Sequence, residues 1–199
     1  INNLAIYQQA FVHKSYEKKN LEENVLKDRD IVLSKKLDGV VDLQPRSYET
    51  LEFLGDAIIE AVVTTYLFER YNNESEHFLS KLRIALVKGT TLAYLSKITG
   101  LSKFLLISKT MEEKENARKK DSILEDIFEA FIGAIYMDFS NDKHGSLSSF
   151  MSGCGYQVAQ KFLINLLEDE NSKINMVELI LDDGNYKNKL VNYFKRIYK

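Results

Sequence analysis

Residues 49–57 read ETLEFLGDA and lie in a longer segment, residues 46–71, that contains no proline and only one glycine. Three acids in this stretch, Glu49, Glu52 and Asp56, are spaced i, i+3 and i+7. At about 100° per residue, this spacing places their carboxylates within about 60° of one helix face. Apolar residues occupy most of the other positions, so the segment predicts a long core helix with a row of acids on one side.

A second segment, residues 121–139, is apolar on almost every side and also carries acids. Asp126 and Glu129 are spaced i, i+3, and Gly133 continues the same face one turn further on. A glycine at that position allows another group to approach the helix closely. The sequence therefore predicts two buried helices whose acids converge.

Carboxylates on buried helices are expensive to desolvate unless something pairs with them. Arg83 or Lys88 could neutralise them, which is a purely structural interpretation. The other interpretation is a hard cation, since an all-oxygen ligand set without His or Cys suits Mg²⁺ or Mn²⁺. Spacing does not choose among the acids, because Glu60 lies on the same face as Glu49 and Glu125 adjoins Asp126.

The rest of the chain also predicts helices. The 199 residues include one proline and nine glycines, too few turn signals for a sandwich or a barrel. Residues 78–98 have apolar side chains at helical spacing, and residues 147–167 and 187–198 are amphipathic. No run of any length alternates with a period of two. The predicted fold class is all-α, with one large domain or one domain and a fragment.

Composition excludes several classes of protein. There are 27 basic and 29 acidic residues, which rules out a small, strongly basic nucleic-acid binder. A single cysteine excludes an internal disulfide framework and Cys-based zinc sites. No apolar run approaches the ~18 residues of a membrane span. The chain begins at Ile1 without a signal-peptide pattern, so we expect a piece of a longer, intracellular and cytoplasmic protein.

These motifs together resemble the ribonuclease III family. Residues 49–57 match its nine-residue signature at every position, and residues 122–134 (SILEDIFEAFIGA) match its second block. Residues 82–93 resemble its middle helices, and residues 13–16 (HKSY) resemble its opening His-x-Ser-Tyr element. The resemblance implies an all-helical endonuclease domain that forms a homodimer and hydrolyses double-stranded RNA to 5′-phosphate and 3′-hydroxyl ends. It implies Mg²⁺ as the cofactor, with Mn²⁺ able to substitute.

The resemblance also implies the site residues. Glu52, Asp56, Asp126 and Glu129 match the family's metal-binding and catalytic carboxylates, with Glu129 bridging the metals. Glu49 matches an acid that the family places near the subunit interface.

The remaining side chains have other interpretations. Glu60 and Glu125 match no catalytic position, and we interpret His13 and Ser15 as a capping and packing pair. The alternative function is a dimeric RNA-binding or ribosome-associated scaffold with vestigial cleavage, although no catalytic position is substituted.

Three regions depart from the compact family pattern or extend it. Residues 17–45 predict an insertion within a catalytic domain of residues 1–184. Residues 115–120 lack the pair of glycines that is common there. Residues 185–196 (NYKNKLVNYFKR) resemble the first helix of a double-stranded-RNA-binding domain, so residues 185–199 predict the start of a second, truncated domain. The charge switches at this point, from six acids and one lysine in residues 168–183 to five basic residues and no acid from 185 onward.

Overall fold

A computed structural model describes residues 1–18, 38–140, 153–172 and 174. Two sequence predictions fall wholly or largely outside this part of the chain. Residues 19–37 contain most of the predicted insertion, and residues 185–199 contain the predicted start of an RNA-binding domain. Both stay predictions.

The described residues form helices connected by short turns. The α-helices are α1 (Leu4–Gln9), α2 (Glu49–Arg70), α3 (Glu76–Val87), α4 (Gly89–Thr99), α5 (Lys109–Glu113), α6 (Asp121–Ser140) and α7 (Gly155–Glu168). Short 3₁₀ helices span Lys14–Tyr16, Leu101–Phe104, Ala117–Lys119 and Glu170–Ser172. No strand occurs among the described residues, which contain only isolated bridges between Val12 and Leu106 and between Glu17 and Gln44. The all-α prediction is confirmed.

Helix α6 lies at the centre of the fold and packs against α2, α4 and α7. Its side chains Ile127, Phe128, Ala130 and Ile132 are completely buried, as expected for a segment that is apolar on almost every side. No helix in the described ranges is both long and apolar enough to cross a bilayer.

Two glycines allow α2 and α6 to cross at very short range. A Cβ atom on Gly55 would collide with the backbone carbonyl oxygen of Glu129, and one on Gly133 would collide with that of Leu51. Backbone atoms cannot move aside as a flexible side chain can, so both positions need glycine. The prediction that Gly133 permits a close approach is confirmed. The group that approaches it is the backbone of α2 from Leu51 to Gly55.

The structure divides the apolar segment 78–98 into two helices. Lys88 has extended backbone angles (φ −64°, ψ 144°), which end α3 and begin α4. Ser75 caps the first of these helices by accepting a hydrogen bond from the backbone N–H of Phe78. The apolar spacing alone does not show this break, whereas the resemblance of residues 82–93 to more than one helix implied it.

Burial around α2 differs from the sequence prediction in one respect. Its buried side contains Leu51, Gly55 and Ile59, whereas Phe53 is 83% exposed and lies outside the core. The helix therefore carries apolar side chains on its outer face as well as in the core. The predicted helix at residues 147–167 is described only from residue 153, where α7 begins at Gly155.

The charged link at residues 110–121 is folded, although it is largely exposed. Asn116 adopts the left-handed conformation (φ 49°, ψ 39°) that glycine would otherwise supply, and asparagine tolerates it better than most residues. Arg118 donates hydrogen bonds to both carboxylate oxygens of Glu112 (2.9–3.2 Å) and to the carbonyl oxygen of Ser102. The absence of the glycine pair therefore does not prevent a compact turn.

Candidate functional site

The four predicted site acids lie on the two helices that cross at Gly55. Glu52 and Asp56 lie on α2 close to this glycine. The atom that a Cβ on Gly55 would meet is the backbone carbonyl oxygen of Glu129. Asp126 lies one turn before Glu129 on α6. The close crossing therefore brings acids from two distant parts of the sequence into one electrostatic environment.

Glu129 is the most buried member of this group, with 8% of its surface exposed. Burial, followed by the charges of neighbouring acids, raises the pKa of its carboxyl to about 8. These neighbours are Asp56, Glu125, Glu52 and Asp126, in decreasing order of influence. Because every one of them is an acid, the site places negative charge next to negative charge in a poorly solvated position.

Burial is also the main influence on the carboxyls of Glu52 and Asp126. Burial is the main cause that raises the pKa of Glu52, to about 7, followed by the charges of Asp126, Glu49 and Glu125, while Lys14 lowers it. Burial also raises the pKa of Asp126, against the lowering effects of a hydrogen bond from Tyr48 and of nearby His13 and Lys14. Burial, and for Glu52 also the charges of neighbouring acids, thus disfavours the ionised carboxyls.

The structural interpretation based on basic side chains is not realised among the described residues. Neither Arg83 nor Lys88 forms an ion pair with these acids there. Lys14 pairs with Glu49, with 3.6 Å between Nζ and Oε1, at the outer edge of the group. Glu49 also accepts a hydrogen bond from the Ser47 hydroxyl (3.3 Å). It therefore lies beside the site, not at its centre.

The chemistry of the donor set fits a hard divalent cation, because it consists of carboxylate oxygens without nitrogen or sulfur. As the side chains stand, the residues described contain no group of three acids, histidines or cysteines arranged to hold a metal ion.

Sequence reasoning missed one residue that touches this site. The Tyr48 hydroxyl donates a hydrogen bond to Oδ2 of Asp126 (2.9 Å), and Tyr48 is 3% exposed. The Tyr48 ring packs edge-on against His13, with 5.8 Å between ring centroids. The only sequence signal was its place immediately before the acidic stretch, because the two partners are 78 positions apart.

The capping prediction for His13 and Ser15 is confirmed. Nδ1 of His13 accepts a hydrogen bond from the backbone N–H of Ser15 (3.0 Å) and lies 2.8 Å from its hydroxyl oxygen. Burial, followed by the charge of Lys14, lowers the pKa of His13. The ring is therefore neutral at pH 7, as an acceptor at Nδ1 requires.

Glu125 also lies closer to the site than the sequence indicated. Its carboxylate occupies the space that a side chain on Gly89 would need at the start of α4. Burial raises its pKa, with added effects from Asp126 and Asp56. The two helices thus bring together five acids, of which four match the family pattern.

Comparison with known proteins gives a consistent result. Residues 49–140 match the family model of the ribonuclease III domain. A probable ribonuclease 3 from Acanthamoeba polyphaga mimivirus is 39% identical over 152 residues, which are 76% of this chain and 24% of that protein. Ribonuclease 3 from Listeria innocua is 37% identical over 141 residues, which are 71% of this chain and 52% of that protein. The chain thus spans about half or less of the length of these curated relatives.

A solved structure resembles the fold itself. The nuclease domain of ribonuclease III from Campylobacter jejuni superposes with a TM-score of 0.60 and 30% sequence identity. The match covers 84% of this chain and 88% of that domain, which has a flexible region involved in dimer formation.

Proposed function

Because this chain belongs to the ribonuclease III family, we propose that it is a divalent-metal-dependent endoribonuclease that cleaves double-stranded RNA. The observation that carries the proposal is the group of carboxylates at the crossing of α2 and α6, in which Glu129 is buried, Glu52 and Asp126 are half-buried and Asp56 is exposed. Such a group stores repulsion that a cation relieves, and perturbed acids of this kind are concentrated at functional sites. A structural role offers no comparable reason to keep them together.

We assign the metal to Glu52, Asp56, Asp126 and Glu129. Bound divalent ions at such a site activate water and stabilise charge on the leaving oxygen of a phosphodiester. The chain's own contribution is to hold the ligand oxygens on two rigid helices and to limit access of water to the Glu129 carboxyl. That carboxyl must lose its proton to bind a cation, so cation affinity rises with pH. The products are a 5′-phosphate and a 3′-hydroxyl.

The substrate is an RNA duplex recognised by its shape. A-form helices present phosphates and 2′-hydroxyls in regular positions, and these contacts carry little sequence information. With a net charge of −2, the chain supplies few surplus cations, so duplex binding depends strongly on local basic groups and on salt.

The working unit is a homodimer formed by the outer face of α2. Phe53, Ala57, Ala61 and Phe68 recur along this face at helical spacing, and all four are exposed. Exposed apolar side chains that share one helix face, here interrupted by Thr64, are typical of a protein interface. A two-fold interface here would place one acidic site against each strand of the duplex. Sedimentation should show a dimer at micromolar concentration, and Phe53→Asp should shift it to monomer.

The direct test of the activity is cleavage of a perfect RNA duplex with Mg²⁺ and with EDTA. We expect short duplex products with Mg²⁺ and none with EDTA, while the corresponding single strands and a DNA duplex stay intact. Glu129→Ala should fold, dimerise and bind duplex but not cleave. Binding without cleavage by the unaltered chain would indicate the vestigial scaffold, and substantial cleavage by Glu129→Ala in saturating Mg²⁺ would refute the site assignment.

A further inference from the structure

Tyr48 has an unusual combination of burial and contacts for a residue beside an acidic site. Its backbone N–H donates to the carbonyl oxygen of Val12 (2.8 Å), and its hydroxyl donates to Oδ2 of Asp126 (2.9 Å). It is the N-cap residue of α2, so one residue connects the chain before the first acidic helix to an acid on the second. Both ends of this tyrosine are therefore held.

The Tyr48 ring is held in turn by the His13 element. The His13 ring packs edge-on against it, with an interplanar angle of 61°. Ser15 anchors His13 through Nδ1, and the Ser15 hydroxyl oxygen accepts a hydrogen bond from the backbone N–H of Ser108 (3.0 Å). A continuous set of contacts thus runs from Ser108 through Ser15, His13 and Tyr48 to Asp126.

Asp126 needs such a restraint because its neighbours repel it. Glu52 and Glu129 both respond to the charge of Asp126, so ionised forms of these acids tend to rotate apart when no cation is present. A hydrogen bond to one oxygen of Asp126 limits that rotation and keeps the carboxylate at the helix crossing. Groups that orient metal ligands in this way usually contribute about 10- to 100-fold to metal affinity or activity.

We propose that Tyr48 is a positioning residue that holds Asp126 ready to bind the divalent cation, and that His13 and Ser15 hold the Tyr48 ring. This inference rests on the proposed function, since it takes Asp126 to be a metal ligand. It gives the His-x-Ser-Tyr element of this chain a role at the site that capping alone does not require.

The test is Tyr48→Phe, which removes one oxygen atom and keeps the ring. Tyr7→Phe is a matched control, because Tyr7 is also buried and its hydroxyl also donates to an aspartate of α6, Oδ2 of Asp138 (3.1 Å). Mn²⁺ affinity is measured by calorimetry without RNA, and the Mg²⁺ dependence of duplex cleavage is measured in parallel.

We expect Tyr48→Phe to weaken Mn²⁺ binding by about 10-fold or more and to raise the Mg²⁺ concentration for half-maximal cleavage similarly. Saturating Mg²⁺ should restore most of the cleavage rate. Tyr7→Phe should lose a comparable amount of thermal stability, but its Mn²⁺ affinity and its Mg²⁺ concentration for half-maximal cleavage should stay unchanged. Ser15→Ala should weaken Mn²⁺ binding and raise the required Mg²⁺ concentration as Tyr48→Phe does, but to a smaller extent.

The possible failures are distinguishable. If the unaltered protein neither binds Mn²⁺ nor cleaves duplex RNA, the proposed function fails and this inference fails with it. If the unaltered protein does both and Tyr48→Phe has the same metal affinity and Mg²⁺ dependence, only the positioning role is overturned. A metal affinity lowered equally in both tyrosine variants would also overturn it, because general destabilisation would then explain the effect.

Discussion

Each end of α6 has an aspartate that is hydrogen-bonded to a buried tyrosine, but the pKa of one aspartate is raised and that of the other is lowered. Asp126 and Asp138 lie on one helix, and each accepts a hydrogen bond from a buried tyrosine hydroxyl, at 2.9 and 3.1 Å. Asp138 also accepts from the backbone N–H groups of Asn2 and Asn3 at 2.6–3.0 Å. Asp126 has acids beside it instead.

The signs of the two pKa shifts follow from these surroundings. Burial tends to raise the pKa of Asp138, but the backbone hydrogen bonds from Asn2 and Asn3 and the bond from Tyr7 outweigh it, so its pKa is lowered. Burial raises the pKa of Asp126, and the donors beside it do not reverse the shift. Asp138 is therefore a satisfied structural anchor that holds the N-terminal residues to α6. Asp126 keeps a raised pKa although Lys14 and His13 lie near it, and perturbed acids of this kind are concentrated at functional sites.

The largest expected effect is on catalysis and separates the two aspartates. If Asp126 is a metal ligand as proposed, Asp126→Asn should lower duplex cleavage by at least ~100-fold, because the charge of one ligand is lost. Asp138→Asn should leave the cleavage rate unchanged when it is assayed well below its unfolding temperature. The measurement is the single-turnover cleavage rate of both variants. Equal losses of cleavage rate would contradict the distinction between the two aspartates.

The close helix crossing should have the next largest effect. Gly55→Ala should lower the free energy of unfolding by about 3 kcal/mol, because the added methyl group meets backbone atoms that can move only with the whole helix. The separation of α2 from α6 should also weaken Mn²⁺ binding. Glu69→Ala, at an exposed position of the same helix, should stay within about 0.5 kcal/mol. Urea denaturation of both variants tests this, and a Gly55→Ala protein as stable as the unaltered chain would contradict it.

Loss of the structural aspartate should have a smaller effect on stability. Asp138→Ala leaves the N–H groups of Asn2 and Asn3 and the hydroxyl of Tyr7 without their acceptor, which should cost about 2 kcal/mol. For a chain of this size the melting temperature should fall by about 4–8 °C. Metal affinity should be unaffected. Thermal denaturation and Mn²⁺ titration of the same preparation provide the two readouts, and a stability loss below that of Tyr7→Phe would count against the anchor.

The last expected effect is a dependence of stability on pH, with opposite signs at the two ends of α6. In EDTA, Glu52 and Glu129 have pKa values of about 7 and 8 in the folded protein, above their ordinary value of 4.5. The folded protein then holds protons that the unfolded chain releases, so stability falls as pH rises from about 5 to 8. Asp138 behaves oppositely. Its lowered pKa stabilises the fold above about pH 4, and that contribution is lost as pH falls through its folded pKa.

Denaturation at pH 3, 5 and 8 measures both slopes. Glu129→Gln should flatten the fall between pH 5 and 8, and saturating Mg²⁺ should abolish it in the unaltered protein. Asp138→Asn should reduce the loss between pH 5 and 3. Equal stability at pH 5 and pH 8 in EDTA would show that the acids of α2 and α6 do not repel one another as inferred.

Sequence alone was sufficient for the features that depend on local periodicity. Acids at i, i+3 and i+7 share a helix face whatever the rest of the chain does, so the acidic faces of α2 and α6 were predictable before any contact was known. The scarcity of proline and glycine was sufficient for the all-α class, and the four acids that match the ribonuclease III signature were identified by position.

Tertiary structure decided everything that depends on residues far apart in sequence. Periodicity contains no information about which helix meets which, so the contact of Gly55 with Glu129 and the Tyr48–Asp126 hydrogen bond appear only once the helices pack. Packing also determined that Phe53 faces outward and that Glu125 joins the acids. The opposite electrostatic states of Asp126 and Asp138 arise for the same reason: a carboxylate's pKa depends on the groups that the fold brings within a few ångströms, and these come from other segments of the chain.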